Sequence, residues 1–153
     1  MSNRTLNYRG QLAGSDAGSS QGFLLSTRKG EKGYRIKNLQ IIQKSPGAVN
    51  NEGLVTIWKT EPTAAEIAAT TIDLSNNRIL AVAFYSASSN ATVYIEDQTI
   101  IFDNEIFNQD IFMTYRDVST SNDAMNYYLE LETISLDESQ AMVATLKDIR
   151  NNS

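Results

Sequence analysis

Hydrophobic and polar residues alternate most regularly over residues 126–134, NYYLELETI. Tyr127, Leu129 and Leu131 fall on one side of an extended chain, and Tyr128, Glu130 and Glu132 on the other. That period of two predicts a half-buried strand. Residues 78–86, RILAVAFYS, are the most apolar run and read as a central strand covered on both faces. Residues 54–60, LVTIWKT, are rich in β-branched and aromatic side chains, another strand signature. Over 34–42 the alternation set by Tyr34 and Ile36 slips at Asn38 and resumes with Leu39 and Ile41, which predicts a β-bulge. Further strands are expected at 23–27 and 111–115. Residues 92–96 and 99–102 read as a hairpin turning at Asp97 and Gln98.

Helical signals are few. Pro62 and Thr63 precede an alanine-rich stretch, which fits either a short helix opening at Thr63 or a long loop ending in a strand at 71–74. Ser135 and Glu138 have capping-box spacing, and Met142, Val143, Leu146 and Ile149 form an apolar stripe. A helix is therefore expected over residues 136–151. All eight glycines lie at or before Gly53, so the first third is expected to be loop-rich, and residues 10–22, GQLAGSDAGSSQG, read as a linker. The expected architecture is mainly β. A β-sandwich or jelly-roll-like body fills residues 23–153, preceded by an extended, flexible, basic N-terminal arm over residues 1–22 and closed by one C-terminal α-helix.

With 153 residues the chain is long enough for one domain with its own core. It contains neither cysteine nor histidine. Disulfides, thiolate nucleophiles, Cys/His metal sites and imidazole acid–base catalysis are thereby excluded. No enzymatic activity and no cofactor are expected. No apolar run approaches the roughly 18 residues of a membrane helix, and the first residues carry no long apolar stretch, so no membrane partner is expected. The net charge of −5 is unevenly spread. Residues 1–50 hold eight basic against two acidic residues, and residues 51–153 hold five against sixteen. A basic leader on an acidic body favours contacts between identical subunits. Nucleic acid is not an expected partner, because the basic residues are not interleaved with stacking aromatics and the acidic body repels phosphate.

Carboxylates are the plentiful reactive groups. Glu130 and Glu132 share a strand face with Tyr128, but sugar hydrolysis needs two acids flanking a cleft. An acidic face answered by a neighbour's cations is the simpler reading. Asp97, Asp103, Glu105 and Asp110 lie near predicted turns, without the spacing of a calcium loop. Trp58 with Tyr34, Tyr85 and Tyr94 would make a sugar-stacking platform if exposed, and core filler if not. The candidate subunit-contact residues are therefore Arg4, Leu6, Tyr8 and Arg9 in the leader, and Tyr128, Glu130 and Glu132 on the strand face.

Residues 110–151 read DIFMTYRDVSTSNDAMNYYLELETISLDESQAMVATLKDIRN. A strand opening Asp-Ile-Phe, a second strand Asn-Tyr-Tyr-Leu-Glu-Leu-Glu and a helix containing Ala-Thr-Leu-Lys-Asp-Ile-Arg follow one another. This arrangement, at residues 126–132 and 136–150, is similar to small structural proteins of marine tailed bacteriophages. Residues 79–85 and 92–102 also resemble that group, so about half the chain is covered. The matching motifs are packing positions, and no functional residue carries over from them. The resemblance implies a virion component assembled in the host cytoplasm. Its first form is a capsid decoration (cement) protein that binds the phage head beside the major capsid protein. It would bridge neighbouring subunits as a homo-oligomer such as a trimer. A tail-tube or adaptor component, or a carbohydrate- or receptor-binding module, are the alternatives. On the first reading, deleting residues 2–22 is expected to weaken attachment and leave the body folded.

Overall fold

Strand pairing in the computed structural model, which describes residues 4–25, 32–45, 50–87, 96–102, 104–119 and 121–135, is antiparallel throughout. The elements in chain order are β1 (Thr5–Leu12), β2 (Ser19–Phe23), β3 (Lys32–Gln43), β4 (Asn51–Trp58), α1 (Ala64–Ile67), β5 (Ile79–Ala87), β6 (Glu96–Ile101), β7 (Ile111–Asp117) and β8 (Met125–Ser135). They form two sheets. Sheet A has the order β1-β8-β3, and sheet B the order β2-β7-β4-β5-β6. The helix expected over residues 136–151 lies outside the described residues.

The two sheets share one apolar cluster. Leu12, Ile36, Leu39, Leu129 and Leu131 enter it from sheet A, and Phe23, Val55, Ile57, Met113 and Tyr115 from sheet B. Each fully buried side chain of this size contributes about 1.5–3 kcal/mol through removal of apolar surface from water. In β8 the burial pattern follows the sequence alternation, with Tyr127, Leu129 and Leu131 inward and Tyr128, Glu130 and Glu132 outward. The register between β3 and β8 shifts between Ile36 and Asn38, the bulge that the slipped alternation predicts. The bulge lets Ile36 and Leu39 both face inward although three positions separate them.

The basic leader is part of the body. β1 pairs along its whole length with β8, from Thr5 opposite Glu132 to Leu12 opposite Met125, and β2 pairs with β7. The expected boundary at residue 22 therefore falls inside β2. The reason is a period of two that runs through Leu6, Tyr8, Gly10 and Leu12, all facing inward, with Gly10 hiding the pattern. The linker-like stretch between the strands is a fixed corner. Gly18, at φ +77°, turns the chain, and a Cβ there would stand 2.0 Å from the Ile67 carbonyl oxygen. Asn122 donates to Asp16 at 3.2 Å and holds the corner to the loop before β8. Removing residues 2–22 would thus strip an edge strand from each sheet, so that deletion cannot isolate attachment from folding.

Two further expectations change. Gly10, Gly22 and Gly53 lie within strands, directly opposite Tyr127, Phe112 and Tyr85. At Gly53 a Cβ would come within 2.3 Å of the Tyr85 ring, so the glycine makes room for the aromatic. Asp97 and Gln98 are not a turn. They lie inside β6, paired with Tyr85 and Phe84 of β5. Of the two readings of residues 62–74 the helix holds. Thr63 and Glu66 close a capping box around α1, whereas 71–74 forms no strand.

One end of the body is organised by buried polar groups. The Asn51 amide donates to the hydroxyls of Tyr85 at 2.8 Å and Tyr115 at 3.3 Å, and Tyr115 donates to the Asp123 carbonyl at 2.5 Å. Buried Asp117 accepts from the backbone N–H groups of Glu52, Ser119 and Asp123. Burial, then the neighbouring Tyr115, Asp117 and Asp123, raise the Tyr85 phenol far above its ordinary value, so it stays protonated.

Candidate functional site

The outer face of sheet A brings together part of the predicted contact set. On β8 it presents Tyr128, Glu130 and Glu132, with Arg9, Asn7 and Thr5 of β1 directly opposite on one side and Gln40, Asn38 and Arg35 of β3 on the other. Arg35 donates to Glu132 Oε2 from Nε at 2.9 Å and from Nη2 at 2.8 Å. The Tyr128 hydroxyl donates to Glu130 Oε2 at 3.1 Å. Partial desolvation, then the Glu130 carboxylate, raise the Tyr128 phenol, which keeps it a neutral donor. The two acids are therefore each engaged within the face.

The leader residues divide. Arg4 and Arg9 are exposed, Arg4 being held by backbone bonds to Thr133 on the strand margin. Leu6 and Tyr8 point the other way and pack against the core, where the Tyr8 ring meets Phe23 edge-on at 5.2 Å. They contribute to folding and are partly buried.

Two surface features were missed in the sequence. Ile42 follows Ile41 in an alternating strand, so one of the pair must face water. Ile42 does, and it is 59% exposed. It lies along a groove of about 390 Å3 on the β3 margin, also lined by Gln40, Ile41, Asn126, Tyr128 and Thr99 of β6. Lys37 at the bulge and Lys44 past the strand end are exposed on the same strand. The doubled isoleucine was the available signal.

The middle of the outer face of sheet B is covered. Leu54, Trp58, Ile79 and Val82 form a second apolar cluster there, and the connection 59–78 lies over it. Arg78 pins this roof. Its Nε donates to Thr60 Oγ1 at 2.6 Å, Nη1 to Glu66 Oε2 at 2.7 Å and Nη2 to the Glu61 carbonyl at 3.2 Å. Its guanidinium carbon stands 5.3 Å from the Trp58 ring centroid. Trp58 is buried, with its indole N–H donating to Thr114 at 2.9 Å. Tyr34 and Tyr85 are buried too, so these three aromatics form no exposed stacking platform; Tyr94 lies outside the described residues. Beneath the roof remains a pocket of about 140 Å3 between Trp58, Ile67, Ile72 and Arg116.

No known protein family matches this chain, and neither does any curated protein. Its chemistry must be read from its own surfaces. Of the acids considered for a cation, Glu105 pairs with buried Lys59 at 3.3 Å and Asp110 accepts the Leu25 N–H at 2.7 Å. Among the described residues no cluster of three acids is placed to hold a metal ion.

The charge is segregated by sheet. The strands of sheet A carry Arg9, Lys32, Arg35 and Lys37 against Glu130 and Glu132, with Arg4 and Lys44 at their ends. Around sheet B, Glu52, Glu61, Glu66, Asp73, Glu105 and Asp110 outnumber Lys59, Arg78 and Arg116, and two of those three cations are committed to internal ion pairs. The sequence asymmetry is thus a difference between two sides of one body.

Proposed function

We propose that the chain is a structural subunit of a virus particle, specifically a capsid decoration protein of tailed-bacteriophage type that attaches through the outer face of sheet A. The observation that carries this reading is the segregation of charge by sheet. Cations in excess along the strands of sheet A, and acids in excess around sheet B, give each subunit two distinct protein-binding sides, and complementary charge governs the rate and register of such contacts. The strand order supports a jelly roll as the finer description of the body. An eight-stranded jelly roll pairs first with last and works inward. Here β1 pairs with β8, β2 with β7 and β4 with β5, whereas β6 leaves β3 and continues sheet B. Folds of this kind serve as shell components because their sheet faces are broad and their edges short.

The shell partner is the major capsid protein, met through an acidic surface. Other copies of this chain, in an oligomer such as a trimer, are the second partner. Immunogold labelling of purified particles is expected to place the protein on the head. Unlabelled particles, or label confined to the tail, overturn the reading. In a co-sedimentation assay with undecorated shells, Arg9→Glu with Lys37→Glu is expected to weaken binding, and added salt to weaken the wild-type protein likewise.

A further inference from the structure

Two exposed apolar features lie on the two sheets, one beside acids and the other beside cations. One is a protrusion on the roof of sheet B. There Ile72 and Leu74 are 46% and 45% exposed and flank Asp73, which is exposed as well. The tip is held as a turn, because Asp73 Oδ1 accepts the Ser75 backbone N–H at 3.0 Å and the Ser75 hydroxyl at 2.5 Å. The same hydrogen bonds keep the Asp73 carboxyl below the usual range, so it is an anion at neutral pH. Glu61 is exposed on the same roof, and Arg78, which donates to the Glu61 backbone carbonyl, is paired with Glu66.

The other feature is the groove along β3, with Ile42 exposed beside it. Its surroundings are basic. Lys37 on β3 and Lys44 just past its end are exposed, Arg9 is exposed opposite Tyr128, and the nearby acids are engaged, Glu130 by the Tyr128 hydroxyl and Asp123 by the Ser45 N–H and hydroxyl. Single exposed aliphatic residues are ordinary, but two on one fixed tip around an anion form a knob that a basic apolar groove fits.

We propose that the tip formed by Ile72, Asp73 and Leu74 of one copy seats in the β3 groove of a second copy. The inference deepens the reading above and rests on its premise that this chain packs against protein subunits. Knob and groove belong to opposite sheets, so the contact is heterologous. Each copy that donates a tip keeps a free groove, and contacts propagate into a ring or a row.

The chain has no cysteine, so engineered thiols report this contact cleanly. The double variant Ile42→Cys/Leu74→Cys, mildly oxidised at micromolar concentration, is expected to give a ladder of covalent oligomers beyond the dimer. Each single variant is expected to stop at a dimer. Adding Asp73→Lys should cut the ladder several-fold, and adding Lys44→Glu to that should restore part of it. The comparison pair is Ile42→Cys/Leu24→Cys, which uses the highly exposed Leu24. An equal ladder from that pair overturns the inference, as does a double variant that stops at dimers while its circular dichroism matches the wild-type protein. Sedimentation of the unmodified chain separates the two failures. Self-association without the 42–74 cross-link removes this contact and leaves the subunit reading standing. A monomer at every concentration, with no label on particles, removes both.

Discussion

The two sheets use the same kind of strand and end in opposite surfaces. Sheet B, five strands wide, buries its inner face and the middle of its outer one, because the connection 59–78 folds back over Trp58, Leu54 and Ile79. Sheet A, three strands wide, buries one face and leaves the other to Arg9, Arg35, Tyr128, Glu130 and Glu132. The covered face is held by buried contacts to one arginine and one tryptophan. The open face is held by an ion pair near water. Stability should therefore reside under the roof, and interaction with other molecules on the open face.

That contrast is broken most severely at Trp58. Trp58→Ala empties the second cluster and removes the ring beneath Arg78, and should lower unfolding free energy by about 3–5 kcal/mol in urea titrations. Loss below about 1 kcal/mol would mean that the roof is not packed as described. Next comes the close approach of Gly53 to Tyr85. Gly53→Ala should cost about 1–3 kcal/mol in the same assay, because the strand and the ring must separate. Arg78→Met keeps the stem but removes three hydrogen bonds and the Glu66 ion pair. A loss of about 1.5–3 kcal/mol is expected, toward its lower end because the pair is partly solvated.

Acid sharpens the same point. Burial alone would raise the Glu66 carboxyl, but hydrogen bonds from the Thr63 N–H and Arg78, with the Arg78 charge, hold it below the ordinary value. A carboxyl depressed in the folded state stabilises the fold above its unfolded value, about 4.3, and loses that contribution as pH falls toward the folded one. Melting temperature should therefore drop below about pH 4.3, and this part of the drop should be smaller in Arg78→Met, where only the Thr63 hydrogen bonds remain. The smallest effect is expected on the open face. Glu132→Gln breaks a pair whose arginine side chain is 42% exposed, and should change stability by no more than about 1 kcal/mol. Its effect should appear instead in shell co-sedimentation.

What the sequence made readable followed from periodicity. The alternation in β8, the doubly buried β5 and the bulge after Ile36 were all visible, because each burial pattern maps directly onto a period of two. The leader is hard to read because glycine is locally a sign of loops. Gly10 and Gly22 instead lie within strands, opposite Tyr127 and Phe112, and at Gly10 the missing side chain makes space for a ring supplied more than a hundred residues later. Long-range partners of this kind leave no local trace. The contact set suffered from the same error. Once β1 was read as an arm, Leu6 and Tyr8 seemed available, although their own alternation with Asn7 and Arg9 placed them inward. The roof was half visible. Pro62, Thr63 and the alanines point to a short helix as one of two readings, but nothing local reveals that Arg78 closes it over Trp58.

β8 has a consequence for the order in which this molecule is made. Among the described residues it is the last strand, and it is the central one of sheet A, flanked by the first and third. A ribosome therefore releases β1 and β3 long before either has its partner. β4, β5 and β7 can find one another earlier, so the five-stranded layer should mature first during synthesis, with two unpaired strands waiting beside it. A chain interrupted before residue 125 would keep those strands bare, with hydrogen-bonding groups unmet and a row of Leu, Tyr and Ile turned to solvent. Such a fragment is primed to pair with its own kind, and cells would meet it as an aggregate.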